Sequence, residues 1–138
     1  MAEKELQEKV VAYRLLESRL EGLIKQRQVV ASKLIEIETT SNSIDEIEKS
    51  EDVLFPIGAE AYAFGKVMDK KKMIVEIGAN VAIEKTVEGA KEVMNERKKD
   101  ITAALEDIQK DIDKTSSMLE QLATDIQTYS GETEAEAG

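Results

Sequence analysis

The chain has no cysteine, no histidine and no tryptophan, and a single proline, Pro56. Disulfides are thereby excluded, as are thiolate or imidazole metal sites and the usual pairings of nucleophile with base. A reducing compartment is compatible with this composition. Aromatics make up 4% of the 138 residues, too few for an ordinary compact core in what would by length be one domain. No apolar run approaches the roughly 20 residues of a membrane span, and residues 1–8 are too charged for a signal peptide's apolar stretch. Gly58, Gly65 and Gly78 fit neither a phosphate loop nor a dinucleotide fingerprint. A net charge of −10 repels duplex nucleic acid and anionic membranes. The expectation is a soluble, cytoplasmic protein that is not an enzyme and uses no cofactor, metal, nucleic acid or membrane.

What the chain does have is heptads. Steps of three and four from Leu6 visit Leu6, Lys9, Tyr13, Leu16, Leu20, Leu23, Arg27, Val30, Leu34, Ile37, Ser41 and Ile44, apolar except at Lys9, Arg27 and Ser41. A second series runs through Val87, Lys91, Met94, Lys98, Ile101, Leu105, Ile108, Ile112, Thr115, Leu119, Leu122, Ile126 and Tyr129, broken only by Lys91, Lys98 and Thr115. At 41% hydrophobic content, random placement would leave both seams far emptier. Laid antiparallel, with residue numbers summing to about 131, the seams set Ile44 near Val87, Ile37 near Met94 and Leu6 near Ile126. An intermolecular coiled coil of either helix would share the pattern. Arg27 is expected to fix register from a buried position opposite Ala104 and Leu105, and Lys91 and Lys98 to reach solvent or carboxylates such as Asp100 and Asp107. The acidic residues Glu46, Glu48, Glu51 and Asp52 have the wrong sign for a helix C-terminus, so the first helix should fray there.

Between the seams the period changes to two. Strands are expected at 53–57, 61–68, 73–77 and 81–85, with turns at Gly58–Glu60, Asp69–Lys71 and Gly78–Asn80. Pro56 cannot donate to a ladder and belongs at an edge or a bulge. Two such hairpins bury too little to stand alone, and other subunits are expected to cover them. Thr86 is a suitable cap for the second helix, and Gly131 suits its C-terminal cap. The expected organisation is an N-terminal coiled-coil helix at 1–48, two β-hairpins forming an oligomerisation platform at 49–86, a C-terminal coiled-coil helix at 87–130 and a disordered acidic tail at 131–138. The fold class is mostly α with a small β insert, a long antiparallel coiled-coil helical hairpin with two β-hairpins at its bend.

The order of helix, two hairpins and helix, with PIGA at 56–59 and VEIGANVAIEKT at 75–86, closely resembles the α-class subunits of prefoldin over about residues 5–129. Gly89 stands where a helix-favouring residue is more usual, and Asn80 where a second glycine is common. The resemblance implies a hexamer of two α-class and four β-class subunits, whose hairpins build a β-barrel platform carrying six coiled coils. It further implies ATP-independent capture of unfolded proteins and their delivery to a group II chaperonin. A structural or filament-forming coiled-coil scaffold without client binding is the alternative.

Two helices close a seam poorly at their ends, and promiscuous capture needs only apolar surface. The candidate client-binding residues are therefore Leu6, Val10, Val11, Tyr13, Met118, Leu119, Leu122, Ile126 and Tyr129, some of which could equally be plain seam. The candidate oligomerisation residues are Val53, Phe55, Ile57, Tyr62, Phe64, Val75, Ile77, Val81 and Ile83.

Overall fold

The structure, a computed structural model, describes residues 2–131 with their side chains and the helical backbone to Ala137. Two long helices enclose four strands in the order α1 (Ala2–Lys49), β1 (Asp52–Gly58), β2 (Ala61–Lys66), β3 (Lys72–Gly78), β4 (Val81–Thr86) and α2 (Val87–Ala137). The expected fold class and element order hold. The chain divides into two compact units, a helical one of residues 1–31 and 103–138 and a β-bearing one of Ser32–Thr102.

In the β-bearing unit, β1 pairs with β2 and β3 with β4, each as a separate antiparallel two-stranded sheet. The second is an echo of the first twenty residues on: Ile57-Gly58-Ala59 recurs as Ile77-Gly78-Ala79, and a register shift occurs at the same place in both ladders. Ile57 and Ile77 are the extra residues of two β-bulges, so Pro56 sits beside a bulge, where its missing donor does little harm. The hairpin turns lie at Gly58–Glu60 and Gly78–Asn80, as expected. Ala59 (φ 46°), Glu60 (φ 65°) and Ala79 (φ 50°) join Asn80 (φ 61°) in the left-handed region, because a two-residue hairpin loop needs that twist at both central positions. Strand β2 ends at Lys66 rather than 68; Val67 still donates to the Glu51 carbonyl at 3.0 Å, but Met68 is wholly exposed.

The core of this unit is one cluster of Ile37 and Ile44 from α1, Val75 from β3, and Val87, Ala90 and Met94 from α2. The expected neighbours Ile44 and Val87, and Ile37 and Met94, are buried in it together. The first helix runs on to Lys49. Ser43 and Thr40 turn their hydroxyls back onto the carbonyls of Thr39 and Glu36, at 2.9 and 2.8 Å, which satisfies them without breaking the helix. Beyond them, Lys91 lies 3.2 Å from Asp45 and 2.8 Å from Glu48, adding a positive charge from α2 to that of Lys49 at the acidic end of α1. Hydrogen bonds from Lys91 to Glu48 and then Asp45 raise the Lys91 pKa above its ordinary value. Lys98 pairs with Glu38 at 3.7 Å, so both lysines reach across to α1 and not to Asp100 or Asp107. Helix α2 starts cleanly, with the Thr86 hydroxyl accepting from Gly89 N–H at 3.0 Å. A Cβ on Gly89 would stand 3.2 Å from that hydroxyl, which accounts for a glycine so early in a helix.

In the helical unit the seam of α2 is buried at Ile108, Ile112, Thr115 and Leu119. No buried polar side-chain atom among the described residues lacks a hydrogen-bond partner. Arg27 is not the buried charge expected: it is half-exposed, and its Nη1 donates to Gln109 Oε1 at 2.9 Å. Gln109 in turn donates to Asp113 at 3.0 Å. The long guanidinium reaches the flank of the seam, where polar partners are available. Gly131 lies within α2 and is no cap, because the helical backbone continues to Ala137 through the segment expected to be a disordered acidic tail.

Candidate functional site

Directly opposed residues of an antiparallel ladder share a face, so the registers assign each hairpin side chain. In the first hairpin, Val53 and Phe55 lie with Gly65 and Ala63 on one face; Leu54 and Pro56 lie with Phe64 and Tyr62 on the other. The oligomerisation residues expected on this hairpin therefore do not form one surface. Val53 and Phe55 are separated from Tyr62 and Phe64 by the sheet, and Leu54, absent from that set, belongs with the latter pair. The Phe55 ring lies over Gly65, where a Cβ would run into it. The opposite face is open: Leu54 is 57% exposed, Tyr62 58% and Phe64 95%. Ile57, on the bulge, is also exposed.

The second hairpin uses its faces differently. Val75 opposes Ile83 and Met73 opposes Lys85 on one side. Val75 is buried against the chain's own helices, with Met73 packed on the same cluster, so no other subunit is needed to cover it. The outer side carries Ile74 among Lys72, Glu76, Ala82 and Glu84, with Lys72 and Glu84 3.5 Å apart. Arg97 of α2 holds this hairpin by donating to the Glu76 carbonyl. Ile77 and Val81 are exposed beside the turn and Ile83 is half-buried.

In the helical unit, Leu6, Val10, Tyr13, Leu122, Ile126 and Tyr129 are all half-buried, and Val11 and Met118 are exposed. Leu119 is buried seam. A polar cluster crosses between the helices among them. Lys9 Nζ lies 3.2 Å from Asp125 Oδ2 and 5.0 Å from the centre of the Tyr129 ring, whose hydroxyl donates to Glu5 Oε2 at 2.5 Å. Gln121 donates to the second Asp125 oxygen at 3.2 Å. Sequence reasoning noted Lys9 only as a flaw in the seam, and Glu5 and Asp125 not at all, because their partners lie more than a hundred residues away. Among the described residues, no three or more metal-ligating side chains come together, and no helix is long and apolar enough to cross a membrane.

Two long helices with a pair of β-hairpins between them in sequence define a chain of the coiled-coil hairpin class. The prefoldin subunit model matches residues 16–132. The prefoldin α subunit of Archaeoglobus fulgidus is 30% identical over 131 residues, 91% of this chain and 89% of that protein. That of Methanobrevibacter smithii is 28% identical over 104 residues, 73% of this chain and 71% of the other. In fold, a chain from the cryo-EM structure of filamentous PFD from Methanocaldococcus jannaschii covers 86% of this chain and 98% of itself at a TM-score of 0.69 and 20% identity. The chain belongs to the prefoldin family, as an archaeal-type α subunit. That is a family of chaperones and not of enzymes.

Proposed function

We propose that the chain acts without ATP as a holding subunit, capturing unfolded proteins at its helix ends and passing them to a group II chaperonin in the cytoplasm. It does so in a hetero-oligomer with β-class subunits, two α to four β, assembled through the hairpins. One observation carries the capture surface: along α2 the seam is buried at Ile108, Ile112, Thr115 and Leu119 and only half-buried at Leu122 and Ile126, while Leu6 and Val10 are half-buried like the rest of the α1 seam as far as Leu34. Half-buried apolar side chains at helix ends offer contact to any apolar segment, and several such ends together raise the effective concentration of weak sites. The exposed face of Leu54, Tyr62 and Phe64 supports the hairpins as the assembly surface. The test is to replace Leu6, Val10, Leu122 and Ile126 together with serine and to measure suppression of aggregation of an unfolded protein, without ATP, alongside the mass of the complex. Suppression should fall several-fold at unchanged mass. Full suppression by intact serine-tipped complexes would overturn the reading.

A further inference from the structure

We infer that the cluster of Glu5, Lys9, Asp125 and Tyr129 is a salt-sensitive latch that closes the helix ends, and that capture takes place when it opens. This rests on the reading above that clients bind at those ends. Every member of the cluster crosses from one helix to the other, and Lys9 is its hub. Its ammonium, the cluster's one positive charge, sits between the Asp125 carboxylate and the Tyr129 ring, while the hydroxyl of that ring holds Glu5. Gln121 fixes the second Asp125 oxygen, so the carboxylate is already aimed.

The strength suits a switch. Lys9 and Asp125 are each about one-third exposed, and ion pairs of that exposure hold only weakly. Dissolved salt screens them over distances comparable to the helix separation. The four apolar residues that the latch interleaves are half-buried while it is shut, so opening it presents them on two separate helices. The ends would thus alternate between a closed, soluble form and an open, adhesive one.

The absence of native cysteine allows a direct test. Glu5→Cys and Tyr129→Cys, introduced together and bridged by a short reagent that reductant removes, lock the ends in the assembled complex. The bridged complex should lose aggregation suppression several-fold and recover it on reduction. Separately, Lys9→Met keeps the apolar stem and removes the hub. It should give at low salt the level of capture that the native complex reaches only at high salt. Equal suppression by bridged and reduced complexes, or weaker capture by Lys9→Met than by the native chain at low salt, would overturn the latch. If the serine-tipped complex loses capture while the bridged one keeps it, the tips are the binding surface and only the latch falls.

Discussion

The two hairpins share a backbone and differ in what they do with it. Each has a two-residue loop of positive φ and a bulge one residue before its glycine. The second spends its apolar face inside the chain, where Val75 joins the helix cluster, and shows a mostly charged outer face. The first leaves Leu54, Tyr62 and Phe64 open. One repeat unit thus places an apolar side chain in the fold's own core, and the other leaves its larger apolar side chains exposed. The lesson is that duplicated topology does not fix role: the side chains at alternate positions do.

The largest expected effect breaks this contrast on the open side. Leu54→Lys with Phe64→Lys should abolish assembly, seen as loss of the oligomer in native mass measurement. The unfolding free energy of the single chain should fall by about 1 kcal/mol at most, because the two lysines replace a directly opposed apolar pair on an exposed face. Ile74→Lys on the outer face of the second hairpin should leave far more oligomer. Equal loss from the two would show that the hairpins contribute alike.

Next comes the closed side. Val75→Ala empties part of the shared cluster and should destabilise the chain by about 2 kcal/mol in denaturant melts. Assembly should weaken only as far as the folded fraction falls. A Val75→Ala chain of native stability that no longer assembles would place Val75 at an interface after all.

How much of this was legible in the sequence depends on where each signal lies. The helices were legible because a heptad is written locally, and Leu16 and Leu20 announce their face without reference to α2. The hairpin loops were legible from Gly58 and Gly78. The faces of the first hairpin were not, because Val53 to Ile57 is apolar throughout and period two has nothing to alternate with. The bulge at Ile57 also adds a residue that pattern counting cannot see. The repeat of Ile-Gly-Ala at a spacing of twenty was there to be read and would have set the two hairpins in common register. The ties of Lys9, Arg27, Lys91 and Lys98 were beyond reach, since each joins a residue flanking the seam of the other helix, a few positions away from the apolar register.

A smaller effect sharpens the comparison at the turns. Glu60 and Asn80 occupy equivalent loop positions, both in the left-handed region, and asparagine tolerates that conformation better than glutamate. Glu60→Asn, which writes the second hairpin's turn into the first, should stabilise the chain by about 0.5–1 kcal/mol. The reciprocal Asn80→Glu should destabilise it by a similar amount. Thermal melts of the two variants would check this, and shifts of the same sign would show that loop conformation is not what separates them.

The smallest effect lies beneath the second hairpin, at Lys91. Its ammonium holds Glu48 and Asp45 where α1 ends, next to the cluster that receives Val75. The folded-state pKa is raised, first by the hydrogen bond to Glu48 and then by that to Asp45. Protonation therefore favours the folded chain. The stabilisation is fully present below the ordinary lysine value of about 10.4 and is lost as pH climbs through the raised folded value. Lys91→Met should lower the thermal midpoint slightly at neutral pH and leave assembly through the first hairpin untouched. The gap between the native and Lys91→Met midpoints should then narrow as pH rises past the lysine range. A gap that stays constant through that range would mean that Lys91 stabilises through its methylene stem and not through its charge.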